Sequence, residues 1–387
     1  MKHSKIYFDY AAATPVDLAA FQAVQTYFSD NFYNPSAVYE SARGVRKMLE
    51  ISRANIASVL GAKDQEILFT AGGTEANNIA VHGIMQKFPN GNIVASSIEH
   101  ESILEPIKQY DHKIARTNSR GVVDLEDLAN CIDDETVLVS IMYANNEIGT
   151  IQPLKEVSAL IHSVRQKRTL SGNSTPLYLH TDACQASNYL DLQVTRLGVD
   201  LMTLNGGKIY AMKQSGCLYI RAGVQVEPFV LGGGQESGIR SGTENVPAQI
   251  AFATMLQNVQ AERKHEAARL QLLSNKLFAK LSQNLENIEI NGEVKKRLPN
   301  NLNILFPGVD GERLLMELDE AGVMVATGSA CTASNDDPSH VLLAIGRTPE
   351  EASASIRISL GRHTTEQQIL EAADRIITVV RAHTKLV

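Results

Sequence analysis

Short runs of apolar residues recur through the first two thirds of the chain, and amphipathic segments with a helical period stand between several of them. The runs are brief and rich in β-branched residues, which is typical of buried strands. Because strands that alternate with helices pair in parallel, the pattern predicts an α/β fold with a mostly parallel sheet. The predicted strands lie near Ile67, Ile93, Val137, Tyr178 and Leu201, and 215–223 is predicted as an antiparallel strand.

The pattern changes after a long helix, which is predicted from about Ile250 to Leu285. Beyond it, shorter elements predict a smaller α+β unit, in which 323–346 is interpreted as a loop. The last helix of this unit begins with Thr365 and Gln368 at capping-box spacing. We therefore predict three parts: an N-terminal arm that packs with the small domain (1–15), a large ligand-binding domain (16–255) and a small C-terminal domain (256–387).

Composition narrows the class of protein. The 387 residues are 44% hydrophobic and 20% charged, with a net charge of -7, so a nucleic-acid surface of clustered Lys and Arg is not expected. No apolar run approaches the roughly 20 residues of a membrane-spanning helix, and the N-terminus lacks the apolar core of a signal peptide. Four cysteines at wide spacing indicate neither a disulfide framework nor a metal site. We expect a cytoplasmic protein that binds no metal.

Two polar residues stand at the ends of neighbouring predicted strands and suggest a chemistry. Asp182 ends the strand that begins at Tyr178, and Lys208 follows the strand near Leu201 after two glycines. Such a pair can hold pyridoxal phosphate (PLP), because the amine forms a Schiff base and the carboxylate keeps the pyridine nitrogen protonated. Taken alone, the pair is also compatible with a solvated loop lysine and a helix-capping aspartate.

Further polar residues follow other predicted strands. Thr74 comes after two glycines at a predicted helix start, where free N–H groups can bind a phosphate, although a plain strand-to-helix turn has the same pattern. His100 and Asn146 follow the next two strands. Ligands of parallel sheets bind at the carboxyl ends of the strands, so these residues are expected to converge with Asp182 and Lys208.

Several motifs in a fixed order resemble those of the cysteine desulfurases, which are class V, fold-type I PLP enzymes similar to NifS and IscS. The resemblance covers about residues 7–378 and rests on EHESI, NNEIGT, HTDACQA, GGGQESGIRSGTEN, GSACT with PSHVL, and SIRISLGR. It implies a large domain with a mostly parallel, seven-stranded sheet and a smaller α+β domain that carries the catalytic cysteine.

The resemblance also implies which residues hold the cofactor. Lys208 would form the Schiff base, Asp182 would bind the pyridine nitrogen, Gln185 would face the phenolic oxygen, and His100 would stack on the ring and move protons. The phosphate would be held by Gly73, Thr74 and Asn205, with Thr243 supplied by the partner subunit of a homodimer.

The implied reaction removes sulfur from L-cysteine and leaves L-alanine. Asn146, which also belongs to the cofactor site, and Arg357 would bind the substrate carboxylate. Cys331 would attack the substrate sulfur and keep it as a persulfide for an acceptor, either an iron–sulfur scaffold or a component of tRNA thiolation. Three other functions stay open: a selenocysteine lyase, a class V aminotransferase, and a non-catalytic binding protein with the desulfurase shape.

Three short stretches depart from the family pattern. The usual S-G-H-K is 205–208, Asn-Gly-Gly-Lys, so the imidazole before the lysine is missing at Gly207. We predict that PLP is retained less strongly than in typical members, with the Asn205 amide in place of the serine hydroxyl. Ser237 stands where arginine is usual, and the sequence after Lys208 has Lys213 in Ala-Met-Lys-Gln instead of G-P-K-G.

Overall fold

The computed structural model describes residues 5–328 and 338–384. The strands are β1 (Ile6–Tyr7), β2 (Ile67–Thr70), β3 (Asn92–Ser96), β4 (His112–Ala115), β5 (Thr136–Ser140), β6 (Tyr178–Asp182), β7 (Leu201–Asn205), β8 (Gly216–Ile220), β9 (Glu289–Ile290), β10 (Asn301–Leu305), β11 (Val323–Met324) and β12 (Ser355–Ser359). The α-helices are α1 (Leu18–Val24), α2 (Glu40–Leu60), α3 (Gly73–Lys87), α4 (Glu101–Ile107), α5 (Leu125–Cys131), α6 (Leu154–Ser171), α7 (Val194–Leu197), α8 (Val246–Asn284), α9 (Gly311–Glu320), α10 (His340–Ala344), α11 (Pro349–Ser353) and α12 (Glu366–Thr384).

A seven-stranded sheet in the order β2-β8-β7-β6-β5-β3-β4 forms the centre of the larger unit. Pairing is parallel from β7 to β4, and only β8 pairs antiparallel with its two neighbours. Every residue of β3, β5 and β6 is buried, as expected for strands covered by helices on both faces. The predicted α/β class, with a mostly parallel sheet, is confirmed.

The second unit contains a three-stranded antiparallel sheet, β12-β10-β9, which shares one core with α9, α12 and the later part of α8. The N-terminal strand β1 pairs in parallel with β11 of this unit, with Ile6 opposite Val323. Ile6 and Phe8 are buried in the core of the same unit, beside residues such as Leu277 and Ile376.

Helix α8 connects the two cores. Its first part, through Val259, packs in the core of the larger unit, and its later part, from Leu270 to Leu281, packs in the core of the smaller one. The predicted domain border at 255/256 falls inside this continuous helix, so the division into domains remains a prediction. No helix in the described ranges is both long and apolar enough to cross a membrane.

Two local predictions have clear outcomes. The capping box at the start of α12 is confirmed, because Thr365 N donates to Gln368 Oε1 and Gln368 N donates to Thr365 Oγ1. The segment 323–346, interpreted as a loop, also contains β11 and α10. Helix α10 has only five residues and is capped by Ser339, whose Oγ accepts a hydrogen bond from Leu342 N, so it is too short for a helical period to reveal.

Candidate functional site

Asp182 ends β6 in the middle of the sheet and is buried. Its Oδ1 accepts a hydrogen bond of 2.9 Å from Cys184 N, and its Oδ2 accepts one of 2.8 Å from Asn77 Nδ2 on α3. These bonds fix both oxygens of the carboxylate at the carboxyl edge of the sheet. A carboxylate held in this way can bind a cationic ring nitrogen.

Lys208 stands at the same edge. It ends a 3-10 turn, Gly206–Lys208, that directly follows β7, and β7 pairs with β6 so that Thr203 lies opposite Asp182. The Lys208 ammonium donates to the carbonyl oxygens of Ala11 (2.9 Å) and Ala12 (2.6 Å). The sequence just after β1 therefore forms one wall around the lysine.

A cavity of about 230 Å³ lies between these groups. Most of the site residues predicted from the sequence line it: Gly73, Thr74, His100, Asn146, Asp182, Gln185, Asn205, Lys208 and Arg357. Thr243 does not line it; this residue is exposed in the glycine-rich loop before α8. Cys331 lies outside the described residues.

The start of α3 forms one end of the cavity. Gly72 has φ +137°, a conformation that favours glycine, and it places the first turn of the helix against β7 and β8. A Cβ atom on Gly73 would lie 2.8 Å from Cys184 Sγ and 3.4 Å from Asn205 Nδ2, so the position has no room for a side chain. No side chain of the described residues caps the start of this 15-residue helix, so its first N–H groups are available to an anion.

His100 is connected to Asp182 through two residues that the sequence analysis did not identify. His100 Nδ1 accepts a hydrogen bond from Ser102 N (3.0 Å) and lies 2.8 Å from Ser102 Oγ. Asn77 Nδ2 donates both to Ser102 Oγ and to Asp182 Oδ2, each at 2.8 Å. Because Nδ1 is an acceptor, the neutral imidazole carries its proton on Nε2.

Arg357 also lines the cavity and is 1% exposed. Its Nη2 donates to Asp9 Oδ1 at 2.8 Å, and its Nη1 lies 3.3 Å from the carbonyl oxygen of Asn146. Its Nε is buried and has no hydrogen-bond partner among the described residues. A buried guanidinium with an unsatisfied donor beside a cavity can bind a carboxylate.

Burial shifts the pKa of three groups around the site. It raises the pKa of Glu99 to about 8, with a smaller contribution from the charge of Asp182, so this carboxyl group is protonated at neutral pH. It lowers the pKa of His180 to about 4, which keeps that imidazole neutral between Ser140 and Thr203. Burial also raises the pKa of Cys184 well above its usual range, so its thiol is not a nucleophile.

The cavity residues fit PLP. The bare helix start at Gly73, with the Asn205 amide beside it, suits a phosphate, and the fixed carboxylate of Asp182 suits a protonated pyridine nitrogen. Lys208 offers an amine that suits the aldehyde, and Arg357, whose Nε has no partner among the described residues, lines the same cavity and suits an amino-acid carboxylate.

The glycine-rich loop before α8 is held by a buried ion pair. Glu236, with a side chain that is 3% exposed, accepts from Arg53 Nη1 and Nη2 at 2.8 Å each and from Phe69 N at 2.8 Å. Both Glu236 and Ser237 have positive φ angles, which are uncommon for residues other than glycine. The ion pair therefore fixes the loop that presents Thr243.

Among the residues that sequence reasoning missed, only Ser102 had a local signal, since the second residue of a helix is placed to donate its N–H to the side chain of the N-cap residue, here His100. Asn77 is one helical turn after Gly73, which brings it beneath the same cavity. The role of Asp9 depends on a contact with Arg357 at the other end of the chain, and no local pattern indicates it.

The fold and the site together define a fold-type I PLP enzyme. The aminotransferase class-V family model matches residues 6–371. The chain belongs to this family and, within it, to the cysteine desulfurases.

Curated relatives that match nearly the whole chain support this assignment. The chain is 37% identical over 381 residues to cysteine desulfurase IscS 1 of Archaeoglobus fulgidus, with 97% of this chain and 95% of the relative covered. It is 38% identical over 387 residues to cysteine desulfurase IscS of Dictyoglomus turgidum, with the same coverage of 97% and 95%.

Solved structures agree with the curated relatives. A NifS-like protein superposes with a TM-score of 0.89 at 31% identity, covering 98% of this chain and 100% of that one. SspA, solved in complex with cysteine, superposes with a TM-score of 0.80 at 30% identity, covering 94% and 100%.

Proposed function

We propose that this chain is a PLP-dependent cysteine desulfurase that takes sulfur from L-cysteine, leaves L-alanine and carries the sulfur on Cys331. The observation that carries this proposal is the convergence of an amine, a fixed carboxylate and a buried guanidinium on one cavity, from Lys208, Asp182 and Arg357. The names of the curated relatives and the cysteine complex of SspA support the choice of substrate.

Different residues of the cavity would bind different parts of the cofactor. Gly73, Thr74 and Asn205 would hold the phosphate of PLP, Asp182 its pyridine nitrogen, Gln185 its phenolic oxygen and Lys208 its aldehyde carbon. Bound PLP supplies a ring that withdraws electrons and so makes the Cα proton of the substrate acidic. Asp182 is suited to its role because both its oxygens are already fixed by hydrogen bonds.

The substrate carboxylate would bind at Arg357 and Asn146. Asp9 accepts from Nη2 and the carbonyl oxygen of Asn146 lies beside Nη1, so the guanidinium is held in place, and Nε has no partner among the described residues. A guanidinium fixed in this way binds a carboxylate without losing further rotamer freedom. A carboxylate bound there would leave the amino group and Cβ of cysteine within the cavity that Lys208 and His100 also line.

Lys208 and His100 would move the proton at Cα. The Lys208 amine, beside the carbonyl oxygens of Ala11 and Ala12 at the cavity wall, would take up the proton once it is a free base. His100 presents Nε2, because Ser102 N already occupies Nδ1. Glu99, which is buried and protonated at neutral pH, adds no negative charge beside these groups.

The thiolate of Cys331 would attack the substrate sulfur, so that an S–S bond forms while the Cβ–S bond breaks. The electron pair of the broken bond stays with the three-carbon product, which takes up protons to become alanine, and Cys331 is left as a persulfide. The chain returns to the described residues beside the site: Ser339 Oγ donates to Glu147 Oε2, and His340 Nε2 lies 3.0 Å from the carbonyl oxygen of Glu99.

The enzyme would be a homodimer in which Thr243 completes the phosphate site of the partner. Thr243 is exposed and does not line the cavity of its own chain. Large apolar side chains near the N-terminus and on the glycine-rich loop are exposed as well: Leu18 (67%), Phe28 (58%), Phe32 (67%), Tyr39 (53%) and Leu231 (83%). A surface of this kind supports association with a second copy.

Persulfide chemistry also suggests where the sulfur goes. Transfer would be to an acceptor of iron–sulfur cluster assembly or of tRNA thiolation. Since a free thiol at Cys331 needs reducing conditions, we place the enzyme in the cytoplasm.

Alanine release from L-cysteine, with PLP and a thiol reductant present, tests the proposed reaction. We expect alanine from the wild type and from Cys131→Ser, a control at a half-buried cysteine, and almost none from Cys331→Ser. Alanine from Cys331→Ser at the wild-type rate would refute sulfur transfer through this residue. A wild type that binds PLP but releases no alanine would refute the substrate assignment.

Dimer formation can be tested by complementation. Thr243→Ala should bind PLP more weakly, and Lys208→Ala should release no alanine. Co-expression of the two variants should restore one site per dimer with wild-type PLP affinity, because the intact Lys208 and the intact Thr243 then meet across the interface. A monomer in light scattering, or mixed dimers without recovery, would refute the shared site.

A further inference from the structure

A second cavity, of about 580 Å³, adjoins the first on the outer side of the α3 start. The two cavities share Gly73, Thr74, Asn205 and Lys208, so the larger one continues the proposed phosphate end of the site. Lys213, from the turn after Lys208, lines only the larger cavity. A cation therefore stands beside the place where the phosphate is expected.

Gly207 leaves an open space next to this lysine. A Cβ atom at Gly207 would meet nothing closer than Asn205 Oδ1 at 3.4 Å and Lys213 Cγ at 3.7 Å. Since φ at Gly207 lies outside the left-handed region, a side chain would be accepted there without strain. The methylene groups of Lys213 therefore border the space that a side chain at position 207 would occupy.

The charge of Lys213 has no partner in residues 5–328 and 338–384, where no carboxylate lies within ion-pair distance of its ammonium. The acidic residue that lines the same cavity, Glu75, is already engaged: its Oε1 accepts from Arg240 Nε at 2.7 Å, and its Oε2 accepts from Ala71 N. The positive end of α3 and the Lys213 ammonium therefore act on the cavity together.

We propose that Lys213 is a phosphate-binding residue of the PLP site and supplies the cationic contact that Gly207 cannot make. This inference rests on the proposed function, because the anion is the phosphate of PLP. Amide groups and a helix start hold a dianion by dipoles alone, and an ammonium on a flexible stem adds a full charge at that end. PLP is then retained in spite of the glycine.

The contribution of the exposed Lys213 ammonium to PLP affinity can be recognised by experiment. Its attraction to the phosphate is screened by salt, so the PLP affinity of the wild type should fall as ionic strength rises. The contribution acts on the phosphate and not on the ring. It should therefore be absent when the ligand is pyridoxal, which has no phosphate group.

The test is a binding measurement on the apoprotein, by the absorbance of PLP bound to Lys208, for the wild type, Lys213→Met and the control Lys167→Met. Lys167 is an exposed lysine of α6, remote from the cavity. We expect Lys213→Met to bind PLP about tenfold more weakly, with a flatter salt dependence, and to bind pyridoxal as the wild type does. Adding Gly207→His to Lys213→Met should recover most of the affinity.

Each other outcome has a clear meaning. Equal PLP binding by Lys213→Met and the wild type would overturn the proposal, and so would an equal loss for PLP and pyridoxal, which would indicate a disturbed loop. Either result leaves the proposed function intact if alanine is still released. A wild type that binds neither ligand would overturn the proposed function itself, and this inference with it.

Discussion

Arg357 and Asp9 form a buried ion pair, in which Nη2 of the arginine lies 2.8 Å from Oδ1 of the aspartate. The side chain of Arg357 is 2% exposed and that of Asp9 is 17% exposed, so water does little to weaken the interaction. Arg357 belongs to β12 and Asp9 follows β1, so the pair connects the two ends of the chain at the proposed substrate site.

Removal of the Asp9 charge is expected to affect both stability and substrate binding. Asp9→Ala should lower the free energy of unfolding by about 3 kcal/mol, because it leaves a buried guanidinium without compensation. Asp9→Asn should cost less but should raise KM for cysteine with little change in PLP content. The measurements are urea denaturation and steady-state kinetics.

Asp17→Asn is the matched control for this prediction. Asp17 also pairs with an arginine, Arg362 at 2.7 Å, and lies outside the cavity. The substitution Asp17→Asn should leave KM for cysteine unchanged. If Asp9→Asn and Asp17→Asn have the same KM, the ion pair does not position the substrate site.

Asn77 and Ser102 should have separable effects. Asn77→Ala leaves Asp182 Oδ2 without its donor, so we expect faster loss of PLP and about 2 kcal/mol less stability. Ser102→Ala removes a hydroxyl that contacts both His100 and Asn77 but leaves the bond from Asn77 to Asp182, so it should change the pH dependence of alanine release more than PLP binding. Identical profiles for both variants would contradict separate roles.

Gly73 offers a test of the close approach at the α3 start. In Gly73→Ala the new Cβ would lie 2.8 Å from Cys184 Sγ, and the forced shift should weaken PLP binding by about 1–3 kcal/mol. Combining it with Cys184→Ala removes the sulfur and should restore part of the affinity. Additive losses in the double variant, measured by PLP titration, would show that the sulfur contact is not the cause.

Glu99 should make stability depend on pH. In the folded chain its pKa is raised to about 8, whereas in the unfolded chain it should be about 4.3. The folded state therefore binds one more proton between these values, and stability falls as pH rises from about 5 to about 8 and then levels off. Glu99→Gln does not titrate, so its stability advantage over the wild type should grow across that range.

Urea denaturation at several pH values checks the Glu99 prediction. Glu101→Gln, two residues further along on the less buried start of α4, is the control and should follow the wild type. Parallel curves for the wild type and Glu99→Gln would show that Glu99 is ionised in the folded protein.

The central part of the site could be predicted because its signals are local. Asp182 ends one strand of clear apolar pattern and Lys208 follows another by a single short turn, and parallel strands of this kind bring their carboxyl ends together. Asn77 and Asp9 could not be found in the same way, since each depends on a contact between distant segments.

Two short elements were not predicted from the sequence, for a different reason. Strand β4, His112–Ala115, lies at the edge of the sheet and is only partly buried, so its sequence lacks the continuous apolar run of the inner strands. Helix α10 has five residues, fewer than two turns, and shows no measurable period.

The pairing of β1 with β11 has a consequence for synthesis of the protein on the ribosome. Ile6 emerges early, but its partner Val323 emerges only after the whole seven-stranded sheet has been made. The carbonyl groups of Ala11 and Ala12, which hold Lys208, follow directly after β1. We therefore expect the lysine's surroundings to be completed late in folding, and a nascent chain with only the large sheet to lack the finished pocket.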